Sequence, residues 1–195
     1  SDLNKVYYNG LATILLITSF LVGLMYVTAE PLIVLLITDK WLPSVPIYKL
    51  LVIGFAVQPI IAYGSSAITA QGLGQKHLVL KIFKILFTVV SILFLLISFE
   101  VFLIAFVVSW YMQLLVTFAF VSSVIALDTK WLLKQFLKYL IALLIPTYLI
   151  ILMEGALHLT SFYKLSIFTL LYITVYFMIL FVFKDKYCMA LVRSV

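Results

Sequence analysis

The sequence of residues 102–125, FLIAFVVSWYMQLLVTFAFVSSVI, decides the fold class. It contains no charged side chain, and it exceeds the length of about 20 apolar residues that a membrane-spanning helix needs. Because the segment is apolar on every face, it predicts such a helix and not a barrel strand, in which apolar and polar residues alternate. Its strongly polar residue, Gln113, suits a hydrogen bond to a neighbouring helix.

The whole chain has the composition of a membrane protein. Of its 195 residues, 66% are hydrophobic and 10% are charged, whereas soluble domains have roughly 45–50% and 25%. A soluble domain of this size could not cover itself with polar groups, and intrinsic disorder requires the opposite composition. The single cysteine, Cys188, excludes an intrachain disulfide and a cysteine zinc cluster.

Further charge-poor segments predict a polytopic all-α bundle of six transmembrane helices, one membrane domain over residues 1–195. The predicted spans are 7–28, 46–70, 79–98, 102–125, 136–153 and 165–183. The short apolar run after Pro31 is expected to continue the first helix past a kink or to lie at the membrane interface. Pro59 should kink the second span, and Gly72 suits its end. We interpret the chain, which begins at Ser1, as a piece of a larger membrane protein.

The positions of the cations predict the orientation in the membrane. The chain has thirteen Lys and Arg against seven Asp and Glu, a formal charge of +6. With six spans, ten cations fall on one side: Lys5, Lys76, Lys81, Lys84, Lys130, Lys134, Lys138, Lys184, Lys186 and Arg193. Only Lys40, Lys49 and Lys164 fall on the other. The positive-inside rule therefore predicts that the ten-cation side, with both ends of the chain, is cytoplasmic.

The sequence offers no catalytic motif. His77 and His158 lie in predicted loops, and neither has a partner at metal-ligand spacing. No serine lies in a nucleophile elbow, and Gly72-Leu73-Gly74 lacks the rest of a phosphate-binding loop. We therefore expect no catalytic residue, no metal and no cofactor, and we expect that the chain is not an enzyme.

The second span carries a polar stripe. Gln58, Ser65 and Thr69 follow at spacings of seven and four, which places them on one face of a helix. An adjoining ridge contains the small residues Gly54, Ala62, Ser66 and Ala70. Such a face suits either tight packing with hydrogen bonds across a helix interface or the wall of a wet cavity through which a polar substrate passes.

Three lysines near span ends also allow two interpretations. Lys81 and Lys84 lie one turn apart at the start of the third span, and Lys49 lies one turn inside the second. Each suits either snorkelling to lipid headgroups or binding of a phosphate-bearing ligand. Glu154, at the end of the fifth span, suits an acid at the membrane interface or a proton- or cation-coupling site.

The segment EPLIVLLITDKWLPSVP, residues 30–46, resembles a pattern found in lipid-linked oligosaccharide flippases of the bacterial O-antigen, colanic acid and teichuronic acid type. There an apolar helix ends in a Gly-x-Lys-Trp-like turn before a proline-containing helix start. Here Thr38-Asp39-Lys40-Trp41 takes that place without the glycine. The resemblance continues through Gln58-Pro59 and Ala70-Gln71-Gly72, and it is strongest over Glu30–Lys84.

One departure lies further along the chain. Glu100 and Leu103 stand where that family often has a Gly-x-x-Gly turn. This departure weakens the assignment to a particular subfamily. It does not affect the fold that the resemblance implies. That fold has two lobes of helices around a central cavity, and it is shared with multidrug extruders of the same superfamily.

The resemblance implies a function and partners. Such proteins move a polyprenyl-diphosphate-linked oligosaccharide across the bacterial cytoplasmic (inner) membrane by alternating access. This chain would be the C-terminal lobe, and its partners would be the lipid-linked glycan, membrane lipids and the N-terminal lobe of the same parent chain, with no nucleic acid. The candidate substrate-binding residues are Lys49, Gln58, Ser65, Thr69, Lys81 and Lys84.

Three alternatives remain. A cation-coupled multidrug exporter of the same fold would need an acid buried within the helices. A membrane-embedded glycan polymerase or transferase would need catalytic carboxylates, His or Arg on a large outer loop. A structural subunit would not need the polar stripe.

Overall fold

The protein is helical, as its composition predicts. The computed structural model describes residues 2–125, 127–154 and 160–193, and within these ranges it has helices, turns and short connections but no strand. The predicted all-α fold class is therefore confirmed. The α-helices are α1 (Asp2–Val27), α2 (Ala29–Leu36), α3 (Val45–Phe55), α4 (Gln58–Ala70), α5 (Gly74–Leu93), α6 (Phe99–Ser122), α7 (Thr129–Glu154), α8 (Ser161–Val182) and α9 (Lys186–Arg193). Short 3₁₀ segments occupy Asp39–Ser44 and Phe94–Leu96.

Six segments of the described chain are long and apolar enough to cross a membrane. They are Asn4–Val27, Asp39–Ala70, Gly74–Leu96, Phe99–Ser122, Thr129–Glu154 and Ser161–Val182. The expected number of spans is thus found, and the chain has the architecture of a multi-pass membrane protein. In lipid no water is available to the backbone, so each span must satisfy its own N–H and C=O groups as a helix.

The first helix is interrupted shortly before Pro31. It ends at Val27, and the Thr28 hydroxyl donates a hydrogen bond to the carbonyl oxygen of Leu24 at 2.7 Å. A new helix, α2, begins at Ala29 and places Pro31 in its first turn. Proline fits there because the first N–H groups of a helix have no intrahelical acceptor. The short apolar run is therefore assigned to its own helix after a one-residue break at Thr28. Helical hydrogen bonds continue across this break, from the Thr28 N–H group to Leu24 and from the Leu32 N–H group to Thr28, as expected for a kink.

Proline and glycine also divide the second span and end it. The span consists of α3 and α4, separated at residues 56 and 57, and Pro59 is the second residue of α4. Gly72 follows the end of α4 with a φ of +73°, a left-handed conformation that glycine adopts without a steric cost. The break just before Pro59 and the helix end next to Gly72 both agree with the sequence expectation.

The third span begins earlier than its charge pattern predicts. The sequence places its start at residue 79, whereas α5 begins at Gly74. Lys76 therefore lies in the first turn, and Lys81 and Lys84 lie in the second and third turns. Lysine is a good helix former and reaches the headgroup layer from within a helix, so these charges do not stop the helix.

Contacts divide the chain into two compact units. Unit 1 comprises the chain up to Ile14 together with Ile53–Thr129. In it, α4 and α5 both pack against α6. Its apolar core joins Val57 and Ile61 to Trp110, with Phe106 and Leu114 packed around them.

Unit 2 comprises Leu15–Val52 and Lys130–Val195. In this unit, α8 packs against α2, and tyrosines of α8 also contact α1. The Tyr176 hydroxyl lies 2.7 Å from that of Ser19 and donates to the carbonyl oxygen of Leu16 at 2.8 Å. Phe20 contacts Tyr176 with ring centroids 5.2 Å apart. Hydrogen bonds from tyrosine to the helix backbone therefore help to fix α8 against α1.

Replacing Gly54 by alanine should destabilise unit 1. A Cβ atom at Gly54 would lie 2.7 Å from Cε3 of Trp110 and 2.9 Å from Cγ2 of Val107, closer than packed atoms approach. Overpacking of this kind costs about 1–3 kcal/mol. We expect Gly54→Ala to lower the thermal unfolding temperature of the detergent-solubilised chain, measured by circular dichroism.

Gly74→Ala is the matched control for this experiment. A Cβ atom at Gly74 meets nothing within 4 Å, and alanine favours a helix more than glycine does. This variant should unfold at the same temperature as the parent or slightly higher. Equal unfolding temperatures for the Gly54 and Gly74 variants would contradict the close α3–α6 contact.

Candidate functional site

The polar stripe of the second span lies beside the packed face of α4, not within it. The buried residues of α4 are Ile60, Ile61, Gly64 and Ile68. Gly64 contacts α6 so closely that an added Cβ atom would lie 2.8 Å from Cγ2 of Thr117. Gln58 and Ser65 are half-buried, and Thr69 is exposed. The stripe therefore keeps an open side in unit 1.

Hydroxyl groups on this part of α4 bond to their own helix. Thr69 Oγ1 donates to the carbonyl oxygen of Ser65 at 3.0 Å, and Ser66 Oγ donates to that of Ala62 at 3.0 Å. These bonds are the usual way in which a hydroxyl is satisfied in a membrane helix. Within the described part of unit 1, neither hydroxyl bonds across a helix interface.

The ridge of small residues is divided in the same way. Gly54 is buried against Trp110, whereas Ala62, Ser66 and Ala70 are exposed. Only Gly54 of this set takes part in the tight packing that the sequence suggested for the whole ridge. The face formed by the stripe and the exposed small residues is called the open α4 face below: Gln58, Ala62, Ser65, Ser66, Thr69 and Ala70.

Lys81 and Lys84 lie on α5, in the same unit. Both are exposed, and their neighbours Ile82 and Ile85 are exposed as well. No hydrogen bond or ion pair joins either lysine to the open α4 face in the described ranges. A lysine surrounded by exposed apolar side chains can lay its stem along them and extend its ammonium group to headgroup depth.

Lys49 has a different environment, in unit 2. Its ammonium group lies 5.1 Å from the ring centroid of Tyr26. Glu154, at the end of α7, interacts electrostatically with Lys49, Lys164 and Glu30, and its carboxyl group is within hydrogen-bonding reach of that of Glu30. Two acids and two lysines thus form one half-buried cluster, called the Glu30–Glu154 cluster below. The charge of Lys49 is partly offset there by Glu154.

Sequence reasoning missed a second charged site in unit 2, centred on Asp185. The Asp185 side chain is 2% exposed. Its carboxylate forms an ion pair with Lys138 of α7 and accepts a hydrogen bond from the Tyr139 hydroxyl at 3.2 Å. It also accepts backbone N–H bonds from Tyr187 at 2.9 Å and Cys188 at 2.8 Å. The residue therefore caps the start of α9 and ties it to α7; this contact is called the Asp185 latch below.

The environment of Asp185 stabilises its ionised form. Burial alone would raise its pKa, but the hydrogen bonds from Lys138, Cys188 and Tyr139 outweigh burial, and the pKa falls below its usual 3.8. The pKa of the Cys188 thiol is raised, first by burial and then by the Asp185 charge. An aspartate just before Lys186 is a recognisable helix cap in sequence, but its partner Lys138 cannot be read from the local pattern.

His77 is placed in a helix, not in a loop. It lies in the first turns of α5, half-buried, and its Nδ1 atom is buried with no hydrogen-bond partner in the described ranges. Next to it, Lys76 Nζ donates to Ser123 Oγ at 2.9 Å, which ties the start of α5 to the end of α6. His158 lies outside the described residues. Among those that are described, no three His, Cys, Asp or Glu side chains gather where they could hold a metal.

Comparison of the chain with models of known protein families, with curated proteins and with solved structures finds no match.

Asp185→Asn should loosen α9. The substitution removes the charge that Lys138 faces, and hydrogen bonds to charged groups contribute about 1.5–3 kcal/mol each. Cys188 is buried, and it is the only cysteine in the chain, so its reaction with a thiol reagent reports the undocking of α9. We expect labelling of the folded chain to become about tenfold faster or more. Unchanged labelling would contradict the latch.

Acid should release the same contact only well below neutral pH. Because the pKa of Asp185 is lowered in the folded chain, its stabilising effect is complete above the ordinary value of 3.8 and is lost as the pH falls through the lower folded value. Labelling of Cys188 by a disulfide reagent that reacts in acid should stay slow down to pH 3.8 and then accelerate. Acceleration between pH 7 and 5 would contradict this assignment.

Proposed function

We propose that this chain is the C-terminal lobe of a flippase that moves a polyprenyl-diphosphate-linked oligosaccharide across the bacterial cytoplasmic membrane. The observation that carries the proposal is the open α4 face, which exposes polar and small side chains from the middle of the second span to its end, while the apolar side of α4 packs on α6. Both chain ends would lie on the cytoplasmic side. The protein would bind and move its substrate without chemical change.

The Gln58 side chain, near the middle of the second span, needs a polar neighbour. Lipid tails offer no hydrogen bond to Gln58, and polar groups in hydrocarbon cost free energy unless they are paired. Water and a sugar both supply such partners, and a cavity wall of small residues leaves room for them. The face is also where an N-terminal lobe of the same parent chain would line the other side of a cavity.

The two parts of the substrate need different groups. Hydroxyls and amides such as those of Gln58, Ser65 and Thr69 suit the sugar, whereas ammonium groups suit the diphosphate. Lys81 and Lys84 are exposed on α5 and available to a phosphate at headgroup depth. Lys49 is the weakest candidate, because the carboxyl group of Glu154 partly offsets its charge. The prenyl tail would stay in the surrounding lipid.

One observation favours a second candidate, the cation-coupled multidrug exporter of the same fold. Glu30 and Glu154 both lie near span ends, and the structure brings them together, half-buried, in unit 2. Half-buried carboxyl groups within a membrane bundle are candidates for ion or proton coupling. An exporter of this kind would depend on Glu154 and would have no need for a sugar-binding α4 face.

Ser65→Ala with Thr69→Val should impair glycan export by the full-length parent protein. Each hydrogen bond between a hydroxyl and a bound sugar that is lost costs about 1 kcal/mol of binding free energy, or about fivefold in affinity. We expect reduced surface glycan at normal protein level. The matched control is Ser166→Ala with Thr174→Val on α8; these hydroxyls also bond to their own helix, as that of Thr69 does, but they lie outside the open α4 face. Equal glycan levels in both variants would contradict the proposal.

Lys81→Gln with Lys84→Gln tests the diphosphate contact in the same assay. We expect reduced export; normal export by this variant would show that neither lysine binds the substrate. Loss of drug resistance in a Glu154→Gln variant, with surface glycan unchanged throughout the series, would favour the exporter.

A further inference from the structure

Three exposed lysines lie around the contact between α7 and α9 in unit 2. Lys134 is on α7, Lys184 is in the turn after α8, and Lys186 is the first residue of α9. We call these three residues the α7–α9 basic patch. None of them belongs to the candidate transport site.

The Asp185 latch brings the patch together. Asp185 lies between Lys184 and Lys186 in sequence and binds Lys138 of α7. Lys134 precedes Lys138 by four residues, which is one turn and about 6 Å along the same face of the helix. Lys184 has a φ of +48°, a left-handed conformation that is uncommon outside glycine. It thus occupies a sharp turn that leads the chain into the buried Asp185.

The charge of the patch is not neutralised within the described chain. The carboxylate of Asp185 is engaged by Lys138, Tyr139 and two backbone N–H groups. In the ranges that the structure describes, no acid forms an ion pair with Lys134, Lys184 or Lys186. Three exposed ammonium groups on residues next to the Asp185 latch therefore attract an anion.

Exposed apolar side chains border the same lysines. Leu133 and Phe136 flank Lys134 on α7, and they are 60% and 49% exposed. Phe181 and Val182, at the end of α8, are 73% and 70% exposed just before Lys184. All four residues belong to helices that are long and apolar enough to span a membrane. A ligand of this surface must therefore offer an anionic group and hydrocarbon together.

We propose that the α7–α9 basic patch binds the headgroup of an anionic phospholipid from the surrounding membrane. The three ammonium groups contact the phosphate, and the acyl chains lie along the apolar side chains of α7 and α8. A soluble acidic protein or a nucleic acid would satisfy the lysines but leave the apolar border at membrane depth uncovered. The face concerned is the one that the cation distribution predicts to be cytoplasmic, where anionic lipid attracts basic side chains.

Native mass spectrometry of the full chain in mild detergent tests the proposal. The chain is titrated with phosphatidylglycerol and, separately, with phosphatidylcholine of the same acyl chains. We expect tighter retention of phosphatidylglycerol, and a loss of about fivefold in its affinity for each lysine removed, or about 25-fold for Lys184→Gln with Lys186→Gln. Equal retention of the two lipids would overturn the proposal.

Lys5→Gln with Lys40→Gln is the charge-matched control, since both lysines are exposed and lie outside the patch. It should bind phosphatidylglycerol as the parent does; an equal loss in both double variants would show a response to net charge only and overturn the proposal. Lys134→Gln, which leaves Lys184 and Lys186 in place, covers the case in which the first variant fails to fold, and it should weaken binding about fivefold. Unchanged binding by folded Lys134→Gln would also overturn it.

Inorganic phosphate separates a lipid site from a general anion site. Millimolar phosphate should leave phosphatidylglycerol bound, because the acyl chains contribute to the affinity. Full displacement by phosphate would overturn the assignment to lipid. None of these measurements depends on transport, so their outcome is independent of the proposed flippase function.

Discussion

The lack of water in the hydrocarbon layer is the constraint on which the rest of the structure depends. Backbone N–H and C=O groups in a span must be satisfied within the protein, mostly by the helix itself, and six long apolar helical segments are the result. The same constraint acts on side chains. Hydroxyls such as those of Thr69 and Thr174 bond to their own helix carbonyls, and the buried charge of Asp185 is met by Lys138, Tyr139 and two backbone N–H groups.

Features that depend on local sequence could be predicted. The length of residues 102–125 is enough to identify a span, because the hydrophobic thickness of the bilayer fixes what is required. Gly72 marks a helix end because few other residues adopt a positive φ easily. The charge pattern predicts the start of the third span at residue 79, whereas α5 begins at Gly74. Charge does not mark the helix start, because lysine is compatible with a helix in the headgroup layer.

Features that join distant segments could not be predicted. Lys138 and Asp185 are 47 residues apart, and their contact exists only because α7 lies beside the turn between α8 and α9. Likewise, the sequence around Lys49 indicates an unpaired cation near a span end, whereas in the folded chain Lys49 interacts with Glu154. The polar stripe was visible as a periodicity in one helix. Whether it is covered depends on which face of α4 meets α6, and a single helix sequence does not contain that information.

The balance of charge in the Glu30–Glu154 cluster has an electrical consequence. Moving one elementary charge through a membrane potential costs about 2.3 kcal/mol per 100 mV. With two carboxylates and two ammonium groups all ionised, the cluster has no net charge, so displacing it as a body requires no electrical work. Uptake of one proton would leave a net charge of +1, and any displacement along the membrane normal would then depend on voltage. Because Lys49 and Lys164 act on Glu154, the response of this cluster to voltage would depend on its protonation.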